Sequence, residues 1–214
     1  MTKFRIITAI CVLMFFGLHY LKADEVLFDG KTLAGWEGNL KIWRVENGTI
    51  AGGSYLGNPQ NEFLTSQKSY KNFVLKLEFK LDCKGGDPNA GVQIRSKRIT
   101  NPPHEMSGYQ ADIGALKNGD SITGSLYDES RRKKFLVQAD PALLKKIEKP
   151  NDWNKMEVRC ENNRIEIFIN GEKTCDFKEE DNSIEKNGVI GLQIHGNNKA
   201  VAYYRNISIK ALPD

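Results

Sequence analysis

Cysteine is scarce in this chain, four among 214 residues, and Cys11 lies in the first apolar stretch. The other three, Cys83, Cys160 and Cys175, are an odd set that cannot pair fully within one chain, so no disulfide framework is expected. No close cluster of His, Cys and Asp has zinc or calcium-loop spacing, no Ser-His-Asp order can be inferred, and no glycine loop of the phosphate-cradling kind occurs. Charge of one sign is also lacking. The formal net charge of +4 falls to +1, 28 basic against 27 acidic residues, once Lys3, Arg5 and Lys22 are set aside with the leader described next. Such a balance gives no electrostatic argument for nucleic acid or an anionic membrane as partner. No repeat, low-complexity tract or linker divides the chain.

Residues 1–23 have the layout of a secretory signal: Lys3 and Arg5 in front, the apolar run Ile6 to Leu18, and a polar stretch ending Leu21-Lys22-Ala23. The run is short for a membrane span. The expectation is export to the periplasm or the extracellular space, with no membrane attachment after cleavage and one domain over residues 24–214. Its length suits a single sandwich or barrel with a substantial core.

Most segments after the leader alternate with period two. Phe73 to Leu81 sends Phe73, Leu75, Leu77, Phe79 and Leu81 inward, and Asn47-Gly48 and Asn170-Gly171 are tight-turn signals between alternating runs. Strands are expected at 41–45, 49–51, 73–81, 90–95, 108–113, 121–127, 155–161, 164–170, 189–194 and 201–209, and 97–107 reads as a loop. One short helix is expected from Pro141 to Ile147, with Asp140 as N-cap and Lys145-Lys146 near its end. The fold class is all-β, a sandwich with one short helix. In the meander from Met156 to Phe177, turns at Asn162-Asn163 and Asn170-Gly171 place Cys160 opposite Ile165 and Cys175 opposite Glu166. That puts the two sulfurs on opposite faces. All three cysteines are expected to be small buried hydrophobes.

The same alternation assembles a polar face. Gly108 to Gly114 and Gly124 to Tyr127 place Gln110, Asp112, Ser125 and Tyr127 on one side, with Ala111, Ile113 and Leu126 on the other. Gly91 to Arg95 adds Gln93 and Arg95, and Gly188 to Gly196 adds Gln193 and His195. If these strands are neighbours, a cation, a carboxylate, an imidazole and a phenol share one concave face. Asp112 is the least ordinary member, because aspartate is disfavoured inside strands. Glu129 and Arg131 follow Tyr127 and are candidates for contacts to a ligand's oxygens. Trp36, Trp43 and Trp153 sit in apolar patterns that favour packing over sugar stacking.

Val26 to Trp36, Asn89 to Arg95, Trp153-Asn154, Asn170-Gly171, Gly191 to His195 and Tyr204 to Lys210 together resemble the secreted bacterial 3-keto-disaccharide hydrolase domain family, in order and over nearly all of the chain after the leader. The resemblance implies a concanavalin-like jelly roll and activity on glycosides oxidised to a ketone at C3. The family pattern tends to carry a glutamate where Gln110 stands; here the carboxylate is Asp112, two places on and on the same face. A C3 ketone acidifies the C2 proton, so a base, an enolate partner and a proton donor suffice. The candidates are His195 or Asp112 as base, Arg95 with Gln93 at the oxyanion, and Tyr127 as donor, with Gln110, Gln193, Glu129 and Arg131 binding substrate. No cofactor is expected, although a divalent metal in place of Arg95 is an open alternative. The partner class is carbohydrate. The rival readings are a non-catalytic lectin-like module and a structural envelope domain.

Overall fold

The computed structural model describes residues 24–213, so the leader expected at 1–23 lies outside the described residues. Fifteen strands and one helix follow in order. The first seven strands are β1 (Glu25–Val26), β2 (Trp36–Glu37), β3 (Trp43–Glu46), β4 (Thr49–Ser54), β5 (Glu62–Tyr70), β6 (Phe73–Gly86) and β7 (Asn89–Arg98). Then come β8 (Met106–Gly114), β9 (Leu126–Glu129), β10 (Phe135–Val137) and α1 (Pro141–Ile147). The chain closes with β11 (Asn154–Glu161), β12 (Arg164–Ile169), β13 (Glu172–Lys178), β14 (Gly188–Ile194) and β15 (Asn198–Ala211).

They form two antiparallel sheets. One has the order β13-β12-β11-β6-β15-β4-β3, with β1 beside β15; the other, called here the site sheet, runs β10-β9-β8-β7-β14-β5-β2. Chain neighbours are repeatedly separated in the sheets, as in β6 between β11 and β15, which is the crossing of a jelly roll and not a simple meander. Period-two alternation explains the core between them. Phe73, Leu75, Leu77 and Phe79 of β6, Met156 and Val158 of β11, and Ile165, Ile167 and Ile169 of β12 face Val92, Ile94, Ala111, Ile113, Leu126, Leu192 and Ile194 of the site sheet, all buried. The expected helix is present, capped by the Asp140 carboxylate accepting from the Ala142 N–H at 2.8 Å, with Leu144 as its buried contact.

Three expectations are corrected. No strand is expected over 62–70, yet β5 lies there; after the adjacent apolar pair Phe63-Leu64 the run Thr65-Ser66-Gln67-Lys68-Ser69 is polar and shows no alternation. The strand expected at 121–127 begins at Leu126; before it the chain is tied to the end of β8 by an Ala115–Ser121 bridge and by single backbone hydrogen bonds from Ile122 to Gly114, Gly124 to Asp112 and Asp112 to Ser125. Cys175 lies opposite Ile167 and not Glu166, because the β12–β13 ladder slips between Ile167 and Phe168. Both Cys160 and Cys175 therefore face the core, where burial pushes each thiol up to about 12. They remain free thiols. Strand β12 stands between them, about 9–10 Å of ladder spacing, beyond the reach of a disulfide.

Candidate functional site

The polar face predicted from alternation lies on the outer side of the site sheet. One row across β8, β7, β14 and β5 reads Asp112, Gly91, Gln193, Phe63, continued beyond Asp112 by Ser125 just ahead of β9; the next, across β9, β8, β7, β14 and β5, reads Tyr127, Gln110, Gln93, Gly191, Thr65. Ser96 Oγ donates to Gln93 Oε1 at 2.6 Å, Gln93 Nε2 to Gln110 Oε1 at 2.7 Å, and Gln110 Nε2 to Asp112 Oδ1 at 2.7 Å. This chain orients both glutamine amides and delivers a donor to the Asp112 carboxyl. Gly91 is required beneath it: a Cβ there would stand 2.7 Å from both Cγ and Cδ of Gln110, so only glycine lets that side chain lie flat on the sheet.

An outer sheet face is ordinarily wet, yet Gln93, Gln110, Asp112 and Gln193 are buried. The cover is the distal part of the β7–β8 hairpin. After Ile94 the ladder slips, Arg95 takes a φ of 48°, and the hairpin bends over the face. Glycines at 108 and 188 permit the close approach, since a Cβ on either would meet Ser96 atoms at 2.2 and 2.6 Å respectively. Arg98 Nη2 then donates to the Phe63 carbonyl at 2.8 Å, and Glu105 Oε1 accepts from Asn61 Nδ2 at 2.9 Å. Phe63 lies on β5, two strands from β7, and Asn61 stands just ahead of it, so segment 99–105 is a flap folded back across β14. On the other flank Ser125 Oγ accepts from the Ala139 N–H at 3.0 Å, and Phe135 packs edge-on against Tyr127, 5.2 Å between centroids. Half-buried Glu105, Tyr127, Glu129 and His195 form the rim.

Burial sets the electrostatics. It holds Asp112 well above the usual carboxylate range, against the opposing hydrogen bond from Gln110. Glu129 is raised by burial and then by the charge of Glu105, with His195 acting in the opposite sense. Tyr127 is raised by burial and by Glu129 and Asp112, so its phenol stays protonated at neutral pH. His195 Nδ1 lies 2.8 Å from the Gly196 carbonyl, which can only accept; in the neutral ring Nδ1 therefore carries the hydrogen and Nε2 a lone pair. Tyr204, rising from the opposite sheet, donates its hydroxyl to the carbonyls of Gln193 at 2.7 Å and Gly91 at 3.2 Å, fixing the strands beneath the face.

Two sequence candidates are not brought to this face. The bulge turns Arg95 away: Nε donates to Lys71 O at 2.7 Å, Nη1 to Asn162 O at 2.8 Å and Nη2 to Asn72 Oδ1 at 3.1 Å. It links the site sheet to turns at the sandwich edge. Arg131 lies over the Tyr109 ring, 4.4 Å from its centroid, and pairs with the fully buried Asp128, which Arg132 also holds. Trp36 and Trp43 are core residues, and Trp153 lies under Arg205 at 3.9 Å. Two polar residues of the face were missed. Asn89 shares the alternation of Gly91 and Gln93 and was readable; Glu105 comes from a loop, where no periodicity marks it. Among the described residues no group of three or more His, Cys, Asp or Glu is arranged to hold a metal ion.

A family model described as a 3-keto-alpha-glucoside-1,2-lyase-like domain matches residues 23–210. The chain belongs to this family. A 3-keto-disaccharide hydrolase of Bacteroides thetaiotaomicron is 24% identical over 230 residues, 87% of this chain and 77% of the relative. Among solved structures, a candidate glycosyl hydrolase of Parabacteroides distasonis matches with TM-score 0.63 and 21% identity, covering 89% of this chain and 94% of that one. The carbohydrate binding module CBM66 of Bacillus subtilis matches with TM-score 0.62 and 16% identity over 83% and 96% of the two chains. The fold is thus shared with a candidate glycosyl hydrolase and with a carbohydrate-binding module, and the concanavalin-like jelly roll implied by the sequence is the one observed.

Proposed function

We propose that this protein cleaves 3-keto-glycosides at the outer face of the site sheet. The observation that carries the reading is the buried Asp112, whose hold on its proton burial strengthens, sharing one covered face with an imidazole whose Nε2 is free to accept. In a 3-keto-α-glucoside, His195 Nε2 takes the C2 proton; the C2–H electron pair moves into the bond to C3 as the ketone oxygen becomes an enolate. The enolate then re-forms the ketone, a C1–C2 double bond appears and the C1–O bond breaks. Asp112 gives its proton to the departing oxygen, and Tyr127 is the remaining hydroxyl donor for the developing enolate. Water adds across the C1–C2 double bond afterwards, which completes hydrolysis. Arg95 has no part in this scheme, and Gln93 acts by positioning Gln110, whose amide in turn orients Asp112. The first 23 residues, as a leader, would deliver the enzyme to the periplasm or beyond, where oligosaccharides are met.

The test is release of p-nitrophenol from p-nitrophenyl 3-keto-α-glucoside and from its unoxidised parent. Turnover of the keto substrate alone, reduced at least a hundredfold in His195→Gln and in Asp112→Asn, is the expected result. Binding of both sugars with release from neither would make the protein a carbohydrate-binding module instead.

A further inference from the structure

Buried polar side-chain atoms normally find partners, and those that do not point to something the fold is built to receive. Six such atoms here have none among the described residues: Trp43 Nε1, Asn89 Oδ1, Glu105 Oε2, Arg131 Nη2, and both Nε2 and Oε1 of Gln193. Trp43 is in the core and Arg131 lies against the Tyr109 ring. The other four atoms belong to three residues tied to the segment around His195. Its N–H donates to the Asn89 carbonyl at 3.2 Å, Gln193 stands two residues before it on the same face, and the next residue, Gly196, donates its N–H to Asn61 Oδ1 at 2.9 Å. The Nδ2 of that same Asn61 holds Glu105. By contrast, the neighbouring chain from Ser96 to Asp112 is satisfied internally.

We propose that Asn89, Gln193 and Glu105 form a subsite under the flap that grips neighbouring oxygens of a sugar ring. The Gln193 amide offers a donor and an acceptor side by side, which matches two adjacent ring oxygens, one accepting and one carrying a hydrogen. Asn89 Oδ1 and Glu105 Oε2 each accept from a further hydroxyl. Phe63, beside Gln193 in the ladder, supplies an apolar wall for a C–H face of the ring. Gln193 and Phe63 are both fully buried, so the flap lifts to admit the sugar, and the Glu105–Asn61 hydrogen bond is the latch that opens. The choice of sugar as ligand rests on the proposed function; the subsite does not require turnover.

The experiment compares wild type with Gln193→Leu and, as a second variant, Glu105→Gln. It reads melting temperature without sugar, calorimetric binding of p-nitrophenyl α-glucoside and its 3-keto form, and KM against kcat on the keto form. Removing an unmatched buried amide should leave the sugar-free melting temperature of Gln193→Leu unchanged or raised. Its sugar Kd and KM should rise at least tenfold while kcat falls less, and Glu105→Gln should show the same split. A drop of several degrees in both variants, or unchanged sugar affinity in both, overturns the subsite. Sugar binding that disappears in wild type on adding a chelator also overturns it, because the oxygens would then hold a cation and not the sugar. The two readings separate: tight sugar binding without turnover, lost in Gln193→Leu, leaves the subsite standing and removes the hydrolase. Turnover with wild-type KM in both variants does the reverse, and failure of both sugars to bind removes both.

Discussion

Arg95→Ala tests whether the bulge has been assigned its proper consequence. The guanidinium donates three hydrogen bonds from a site 4% exposed, to Lys71 O, Asn162 O and Asn72 Oδ1. Burial lowers its affinity for the proton, yet an arginine stays charged at any pH compatible with folding. Hydrogen bonds from a charged donor contribute about 1.5–3 kcal/mol each, and three sharing one side chain add less than linearly, so alanine should cost about 3–5 kcal/mol. For a domain of this size that is a fall of roughly 10 °C in Tm. Urea unfolding followed by tryptophan fluorescence gives the loss directly, with an unchanged m-value confirming that only stability has moved. Activity of the folded fraction at low temperature should stay within a few-fold of wild type. Arg95→Lys, able to replace one of three bonds, should recover only a minor part of the loss. A variant less than about 1 kcal/mol destabilised but inactive would refute the structural role and return Arg95 to the chemistry.

The remaining predictions concern the face and its surroundings. Asp112 binds its proton more tightly folded than unfolded, so its favourable contribution is complete below about pH 4, the ordinary aspartate range, and is lost as pH rises toward its raised folded value. Asp112→Asn should therefore gain stability over wild type with increasing pH in denaturation series, while losing activity. Gly91→Ala drives a methyl into Gln110 and should cost about 1–3 kcal/mol and most of the activity, read by urea midpoint and p-nitrophenol release. Glu179 shows the opposite titration: burial pushes its carboxyl up, but hydrogen bonds from Arg132 and Tyr109 prevail and bring it down to about 2 from 4.5. The stability it contributes is present above pH 4.5 and lost as pH falls toward 2, so Glu179→Gln should flatten acid unfolding across that window.

How much of the site could be read in advance depends on where the ladders stay regular. Gln110, Asp112, Tyr127, Gln93 and Gln193 share a face because β8, β9, β14 and the first half of β7 keep strict alternation through those positions. Arg95 obeys the same count on paper and fails in space, because one residue inserted after Ile94 reverses every later side chain. Cys175 fails for the same reason two strands from Cys160, where the slip after Ile167 turns an outward residue inward. Neither bulge has a signature in its own residues; after the first Arg95 meets the turns at Lys71 and Asn162, and after the second Cys175 meets the core. The bulge that spoiled the reading of Arg95 also bends the β7–β8 hairpin, and that bend covers the polar row. Without it Gln193 and Asp112 would be wet, their amide and carboxyl satisfied by solvent, and Asp112 would have no reason to keep its proton. The feature least legible in the sequence is thus the one that converts an ordinary polar strand face into a chemically poised site, and Arg95, far from the reacting atoms, secures it from behind.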